Sequence, residues 1–138
     1  MLRYSPVAGI RGLAEVVLVV EDIDRSVAFY RDTLGLEPIS PPELPVKFLR
    51  VGANGRTSVP QQIVLIPRQL AAEQPLVRTR ALHHIGLEVA PDDYERERER
   101  LAGLGFALRG GQHPFLAVEA FYLDDPDGNE IEIVSWRG

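Results

Sequence analysis

Apolar residues follow two different spacings along the first half of the chain, and these spacings predict one helix among several strands. The run AEVVLVV is β-branched and apolar, which is typical of a strand, and the segment after it switches to helical spacing. Pro-rich and Gly-rich turns then separate three shorter apolar runs. The predicted order is β-α-β-β-β: a strand at 14–20, a helix within 21–38, and strands at 37–40, 46–51 and 61–66.

The same order of patterns returns in the second half. A strand is predicted at 83–89, a helix opens near 90, and strands are predicted near 106–110, 116–123 and 129–136. The two halves align at a spacing of 69 residues, which places Glu15 over His84. An internal duplication explains this alignment most simply. We therefore expect one domain, 1–138, with modules at about 13–67 and 81–136 joined by a linker at 68–80.

The parity of the strand residues predicts which side chains share a face. Neighbouring side chains of a strand point to opposite faces, so His83 and His84 should not face the same way. His84 shares its parity with Gly86 and Glu88, whereas His83 shares the parity of the apolar residues that suit packing against a helix. We therefore expect His84 to point into a concave face, as Glu132 does from the last strand, and His83 to be packed or near the rim.

Composition narrows the classes of function. The formal net charge is −5 and the pI is about 5.2, so a basic surface for nucleic acid is not expected. The chain has no cysteine, which leaves only nitrogen and oxygen ligands for any metal. Pro and Gly interrupt the N-terminal segment, so neither a signal peptide nor a membrane span is predicted. A cytoplasmic protein without nucleic-acid or membrane partners is the expectation.

Three motifs together resemble the vicinal oxygen chelate superfamily, which includes glyoxalase I, bleomycin-resistance proteins, fosfomycin-resistance enzymes and extradiol dioxygenases. They are VVEDIDRSVAFYRDTLGLEP, HHIGLEV and FYLDDPDGNEIEIV, and the resemblance runs from about Leu13 to Trp136. It implies an α+β fold in which two βαβββ modules form an eight-stranded, partly open barrel-like cleft. The cleft could close within one chain or across a swapped dimer, and a homodimer is expected.

The resemblance also implies a metal site on the first and last strands of the modules. The corresponding positions here are Glu15, Val64, His84 and Glu132. Many members carry His where Glu15 stands, and glyoxalase-like members carry a carboxylate where Val64 stands. The remaining ligands, Glu15, His84 and Glu132, suit a divalent ion such as Fe, Mn, Ni, Co or Zn.

Two further residues are candidates for catalysis. Tyr122 resembles tyrosines of extradiol dioxygenases that face the substrate, although a packing role is equally open. His113 lies in a loop, where it could transfer protons or simply be solvated. The leading interpretation is a metal-dependent enzyme, dioxygenase-like or glyoxalase-like, whose small substrate chelates the ion through adjacent oxygens. The alternative is a metal-free small-molecule binding protein resembling the bleomycin-resistance members.

Overall fold

The computed structural model describes residues 12–52, 60–71 and 82–138, which form two βαβββ modules. Most of the expected linker at 68–80 lies outside the described residues, so the proposed division into modules at 13–67 and 81–136 stays a prediction. The first module contains β1 (Glu15–Val20), α1 (Ile23–Ala28) with a π-helical turn (Phe29–Thr33), β2 (Glu37–Pro38), β3 (Lys47–Arg50) and β4 (Gln62–Pro67). The second contains β5 (Ile85–Glu88), α2 (Tyr94–Gly103), β6 (Arg109–Gly111), β7 (Val118–Asp124) and β8 (Glu130–Trp136). Short 3-10 turns cover Arg68–Leu70 and Pro91–Asp93.

Each module forms one four-stranded sheet with its first strand at an edge. The strand orders are β1-β4-β3-β2 and β5-β8-β7-β6. β1 is parallel to β4 and β5 is parallel to β8, while the other pairs are antiparallel. The described residues form two separate sheets rather than a closed barrel. This architecture confirms the predicted α+β fold of two βαβββ modules around a cleft.

The registers of the two sheets show which positions correspond between the modules. Val17 pairs with Val64 across β1 and β4, and Gly86 pairs with Glu132 across β5 and β8. Val17 and Gly86 lie 69 residues apart, which is the spacing found in the sequence. Val64 is therefore the structural counterpart of Glu132.

The core lies between the sheets and the two helices, and both modules contribute to it. On β1, Leu18 and Val20 are buried in this core, whereas Val17 and Val19 remain exposed on the opposite face. Burial of the apolar side of each strand stabilises the fold and leaves the other side of the sheet available for a cleft. Phe121, Leu123, Ile131 and Ile133 form the matching part of the core in the second module.

Buried polar contacts also join the modules. The hydroxyl of Tyr30, which follows α1, donates to Oδ2 of Asp125 at 2.6 Å. Asp125 is itself buried and accepts from the backbone N–H groups of Asp127 and Asn129. The turn between β7 and β8 is thereby fixed against the first module, and with it the start of β8.

Within the described part of the chain, no helix has the length and apolar character needed to cross a membrane.

Candidate metal centre

The carboxylate of Glu132 lies at the centre of a half-buried polar cluster on the second sheet. The side chain of Glu132 is only 13% exposed, and its Oε2 accepts a hydrogen bond of 2.6 Å from the hydroxyl of Tyr122. Its other oxygen, Oε1, lies 3.9 Å from Nε2 of His84. The rings of His84 and Tyr122 meet edge to face, with centroids 5.8 Å apart. The cluster therefore brings together His84, Tyr122 and Glu132, three of the residues singled out in the sequence.

Three neighbouring strands position this cluster. Tyr122 on β7 pairs with Glu132 on β8, and Glu132 pairs with Gly86 on β5. Gly86 leaves the space that the carboxylate occupies, because a Cβ there would lie 2.9 Å from Oε1 of Glu132. Gly111 on β6 does the same for the ring of Tyr122, with which a Cβ would collide. The two glycines thus allow a carboxylate and a phenol to lie flat on this face of the sheet.

The environment of Tyr122 fixes its protonation. The hydrogen bond to Glu132, assisted by desolvation and by the charge of Glu132, raises the pKa of Tyr122 to about 12. The phenol, which is protonated at neutral pH in any case, therefore remains a donor to the carboxylate up to a higher pH than a free tyrosine would. The hydrogen bond from Tyr122 orients Oε2 of Glu132, and Oε1 is then directed towards His84.

His83, His84 and Glu130 form a second group of metal-ligating atoms, which we call the rim triad. One ligand atom from each lies within 4.8 Å of the others. The Nδ1 atoms of His83 and His84 are 2.8 Å apart. The parity of a strand at 83–89 predicted the two imidazoles on opposite faces, but β5 begins only at Ile85. Strand alternation therefore does not govern the two histidines, and both rings approach Glu130.

A cationic side chain accompanies the rim triad. Arg109 on β6 donates to Oε2 of Glu130 at 3.1 Å and to Asp124 at 2.7 Å. These contacts, led by the hydrogen bond to Asp124, raise the pKa of Arg109 above its ordinary value. Arg109 consequently neutralises part of the acidic charge next to Glu132, which limits how strongly this face attracts a cation.

Glu15 occupies a different environment from His84 and Glu132. Its exposed carboxylate accepts a long hydrogen bond of 3.4 Å from Gln62. The described residues of the single chain do not bring it into a common metal-ligating group with those two residues. Val64 is 3% exposed and lies outside the main core cluster. Of its two positions that correspond to family ligands, the first module therefore offers one carboxylate, Glu15, and no ligand at Val64, the equivalent of Glu132.

His113 is held by local contacts. Its Nδ1 accepts hydrogen bonds from the backbone N–H groups of Phe115 and Leu116, at 3.2 and 2.9 Å, and its ring packs against Phe115. In the described part of the chain, no hydrogen bond, ion pair or ring contact joins it to Glu132. Its role in proton transfer stays a prediction.

The sequence pattern gave no ligand role to His83 or Glu130, and it did not indicate the close contacts at Gly86 and Gly111. Glu130 shares the parity of Glu132 and could have been included on that ground. The two glycines could not be recognised, because the collisions that they avoid depend on the register between strands. His83 was expected to be packed or near the rim, on the face opposite His84, because the strand was predicted to begin two residues earlier than it does.

Two sheets of this topology, with a histidine directly before β5 and a carboxylate on the adjacent β8, are typical of proteins built from paired βαβββ modules. A sequence profile of the Glyoxalase/Bleomycin resistance protein/Dioxygenase superfamily matches residues 12–133. The chain therefore belongs to this superfamily.

Solved structures with the same fold include proteins of different function. A glyoxalase/dioxygenase from Nostoc punctiforme superposes with a TM-score of 0.69 at 20% identity, covering 100% of this chain and 99% of that one. A FosX fosfomycin resistance protein from Listeria monocytogenes, solved as a mutant with Mn(II) and a dihydroxypropylphosphonic acid, has a TM-score of 0.67 at 19% identity, with 93% and 92% coverage. TnmS3, an antibiotic binding protein from Streptomyces sp., has a TM-score of 0.67 at 23% identity, with 94% and 98% coverage. These similarities establish the shared fold.

Proposed function

We propose that this protein is a metal-dependent enzyme whose small substrate chelates a divalent ion through adjacent oxygens. The observation that carries this proposal is the placement of Glu132, whose Oε2 accepts from Tyr122 while its Oε1 lies 3.9 Å from Nε2 of His84. A half-buried carboxylate needs a partner for its charge. Tyr122 satisfies one oxygen, and an ion shared with His84 would satisfy the other.

The distances at this site suit a metal ion better than a direct contact. A separation of 3.9 Å is too long for a hydrogen bond between Nε2 and Oε1. Two ligand atoms that each lie ~2.1 Å from one ion are ~3–4 Å apart, depending on the coordination angle. His84 and Glu132 could therefore hold one ion with little movement. Imidazole and carboxylate ligands suit Fe, Mn, Ni, Co or Zn. The FosX protein of the same fold was solved in complex with Mn(II).

The residues of the chain would have separate roles in the reaction. His84 and Glu132 would hold the ion, and Glu15 is proposed as the ligand from a first module. The bound metal would act as a Lewis acid towards the substrate oxygens. Tyr122 would orient Glu132 and remain protonated, because its raised pKa leaves almost no phenolate at neutral pH. His113 is a candidate for proton transfer from the loop before β7.

We further propose a homodimer in which the first module of one chain completes the site of the other. The arrangement within one chain supports this, because Glu15 lies apart from His84 and Glu132, and the face of β1 that bears Glu15 exposes Val17 and Val19. Mixing a Glu15→Ala dimer with a Glu132→Ala dimer should restore some intact sites by subunit exchange. Light scattering that finds only monomers, or no recovery after demonstrated exchange, would contradict this arrangement. We expect the enzyme to work in the cytoplasm.

The test of the proposed activity combines metal content with turnover. Untagged protein should bind a divalent metal, and Glu132→Gln should lose it, since the amide is a far weaker ligand. Oxygen consumption with catechols under Fe(II) would identify a dioxygenase, and turnover of a methylglyoxal–thiol adduct would identify a glyoxalase. Protein that takes up no metal on reconstitution would refute the proposal.

A metal-free binding protein is the second candidate function. The antibiotic binding protein TnmS3 has the same fold, and the exposed Val17 and Val19 offer apolar surface for a small molecule. Under this alternative, Glu132→Ala would leave ligand affinity nearly unchanged. Under the enzymatic proposal, the same substitution abolishes metal retention.

A further inference from the structure

The two nitrogens of the His84 imidazole face different partners. Nε2 lies 3.9 Å from Oε1 of Glu132, and Nδ1 lies 2.8 Å from Nδ1 of His83. A neutral imidazole carries a proton on one nitrogen and a lone pair on the other. His84 can therefore offer a ligand atom towards Glu132 or towards His83, but in its neutral form it cannot offer both at once.

The side towards His83 has the features of a cation site in its own right. Two nitrogens ~2.1 Å from one ion and at right angles to each other are ~3 Å apart, close to the 2.8 Å between the two Nδ1 atoms. Glu130 completes the rim triad with a carboxylate oxygen within 4.8 Å of one ring nitrogen of each imidazole. The set contains two imidazoles and one carboxylate, which suits Zn(II), Co(II) or Ni(II).

We propose that the rim triad is a second divalent-cation position, and that it competes for His84 with the ion at Glu132. Binding at the rim uses Nδ1 of His84, which leaves the proton on Nε2 facing Glu132. Binding at Glu132 uses Nε2, which leaves the proton on Nδ1 to donate to His83. The rim site stands on its own geometry, whereas the competition rests on the proposed function.

Exposure and charge indicate that the rim position is the weaker of the two. The side chains of His84 and Glu130 are 34% and 31% exposed, whereas that of Glu132 is 13% exposed. Arg109 already engages Oε2 of Glu130, so an ion at the rim must share this carboxylate with a guanidinium. Water access and this competing cation both reduce affinity. The rim should therefore fill only after the Glu132 position, and it then holds its ion through His83 and Glu130 alone, because His84 stays with the ion at Glu132.

Zinc titration of the untagged, chelator-treated protein of 138 residues tests this proposal. We expect wild-type protein to bind a tighter and a weaker equivalent of Zn(II) in calorimetry. His83→Ala and Glu130→Gln should each lower the affinity for the second equivalent of Zn(II) about 100-fold. Even the loss of a residue that only hydrogen-bonds to a metal ligand lowers metal affinity ~10–100-fold. Glu119→Gln is the matched control: Glu119 also accepts from an arginine, Arg137, but lies outside the triad, so both equivalents should remain.

Glu132→Gln separates this proposal from the proposed function. It should remove the tighter equivalent, and the rim equivalent should then bind ~10-fold more tightly because His84 is released from competition. Persistence of the weaker equivalent in both His83→Ala and Glu130→Gln would overturn the rim site. A single equivalent that Glu132→Gln removes and His83→Ala spares would also overturn it. A single equivalent that depends on His83 and Glu130 but not on Glu132 would support the rim and contradict the proposed function.

Discussion

Gly86→Ala should weaken metal binding while leaving the fold intact. The added Cβ would lie 2.9 Å from Oε1 of Glu132, half an ångström inside the 3.4 Å at which ordinary contact begins. The atom that must move is the end of a flexible side chain, and Gly86 does not adopt a positive φ, so the backbone accepts alanine. Displacing the carboxylate also disturbs its 2.6 Å bond with Tyr122.

The expected loss follows from the size of this displacement. Ligand sets tolerate misplacement of only ~0.5 Å, so metal affinity should fall ~10–100-fold. That range corresponds to ~1.4–2.8 kcal/mol of binding free energy. The free energy of unfolding without metal should change by less than ~1 kcal/mol, because alanine also restricts the unfolded chain.

Metal titration and urea denaturation measure the two quantities separately. Gly110→Ala is the matched control: this glycine lies on β6 of the same sheet, and a Cβ there meets nothing within 4 Å. It should retain wild-type metal affinity. Equal affinity in the Gly86 and Gly110 variants would refute the placement of the metal beside Oε1 of Glu132.

Two further predictions concern the tyrosines. Ultraviolet titration should find one phenol near pH 12 that returns towards 10 in Glu132→Gln, because the hydrogen bond from Tyr122 to that carboxylate is the main cause of its raised pKa. Because the pKa of Tyr122 is raised in the folded state, the stability that this contact contributes is complete below pH ~10 and is lost as the pH rises through 12. An unchanged tyrosine titration in Glu132→Gln would contradict this assignment of the raised pKa. Tyr30→Phe removes the 2.6 Å bond to Asp125 between the modules and should cost ~1–3 kcal/mol in urea denaturation, whereas a loss below ~0.5 kcal/mol would show that the contact contributes little.

The fold could be predicted well from the sequence, because the strand pattern and the helix pattern each occur in both halves of the chain. The parity of residues in EIEIVSW predicted the face of Glu132 on β8, and the spacing of 69 residues matched the pairing of Val17 with Val64 and of Gly86 with Glu132. Strand ends were less accurate. The strand expected at 83–89 comprises only Ile85–Glu88. Hydrogen bonding to the neighbouring strand determines where a strand begins, and the amino-acid composition does not specify that pairing.

The candidate site was predictable only in part. The face of Glu132 followed from parity, but its bond with Tyr122 depends on the register between β7 and β8. The approach of His83 to His84 depends on backbone that is not in a strand. Whether Glu15 joins the site depends on how modules associate, which a pattern within one chain does not specify.

Anomalous diffraction from crystals grown with Mn(II) would locate the proposed metal ion directly. We expect a peak ~2.0–2.2 Å from both Nε2 of His84 and Oε1 of Glu132. A strongest peak remote from both atoms, or no peak at saturating Mn(II), would contradict it.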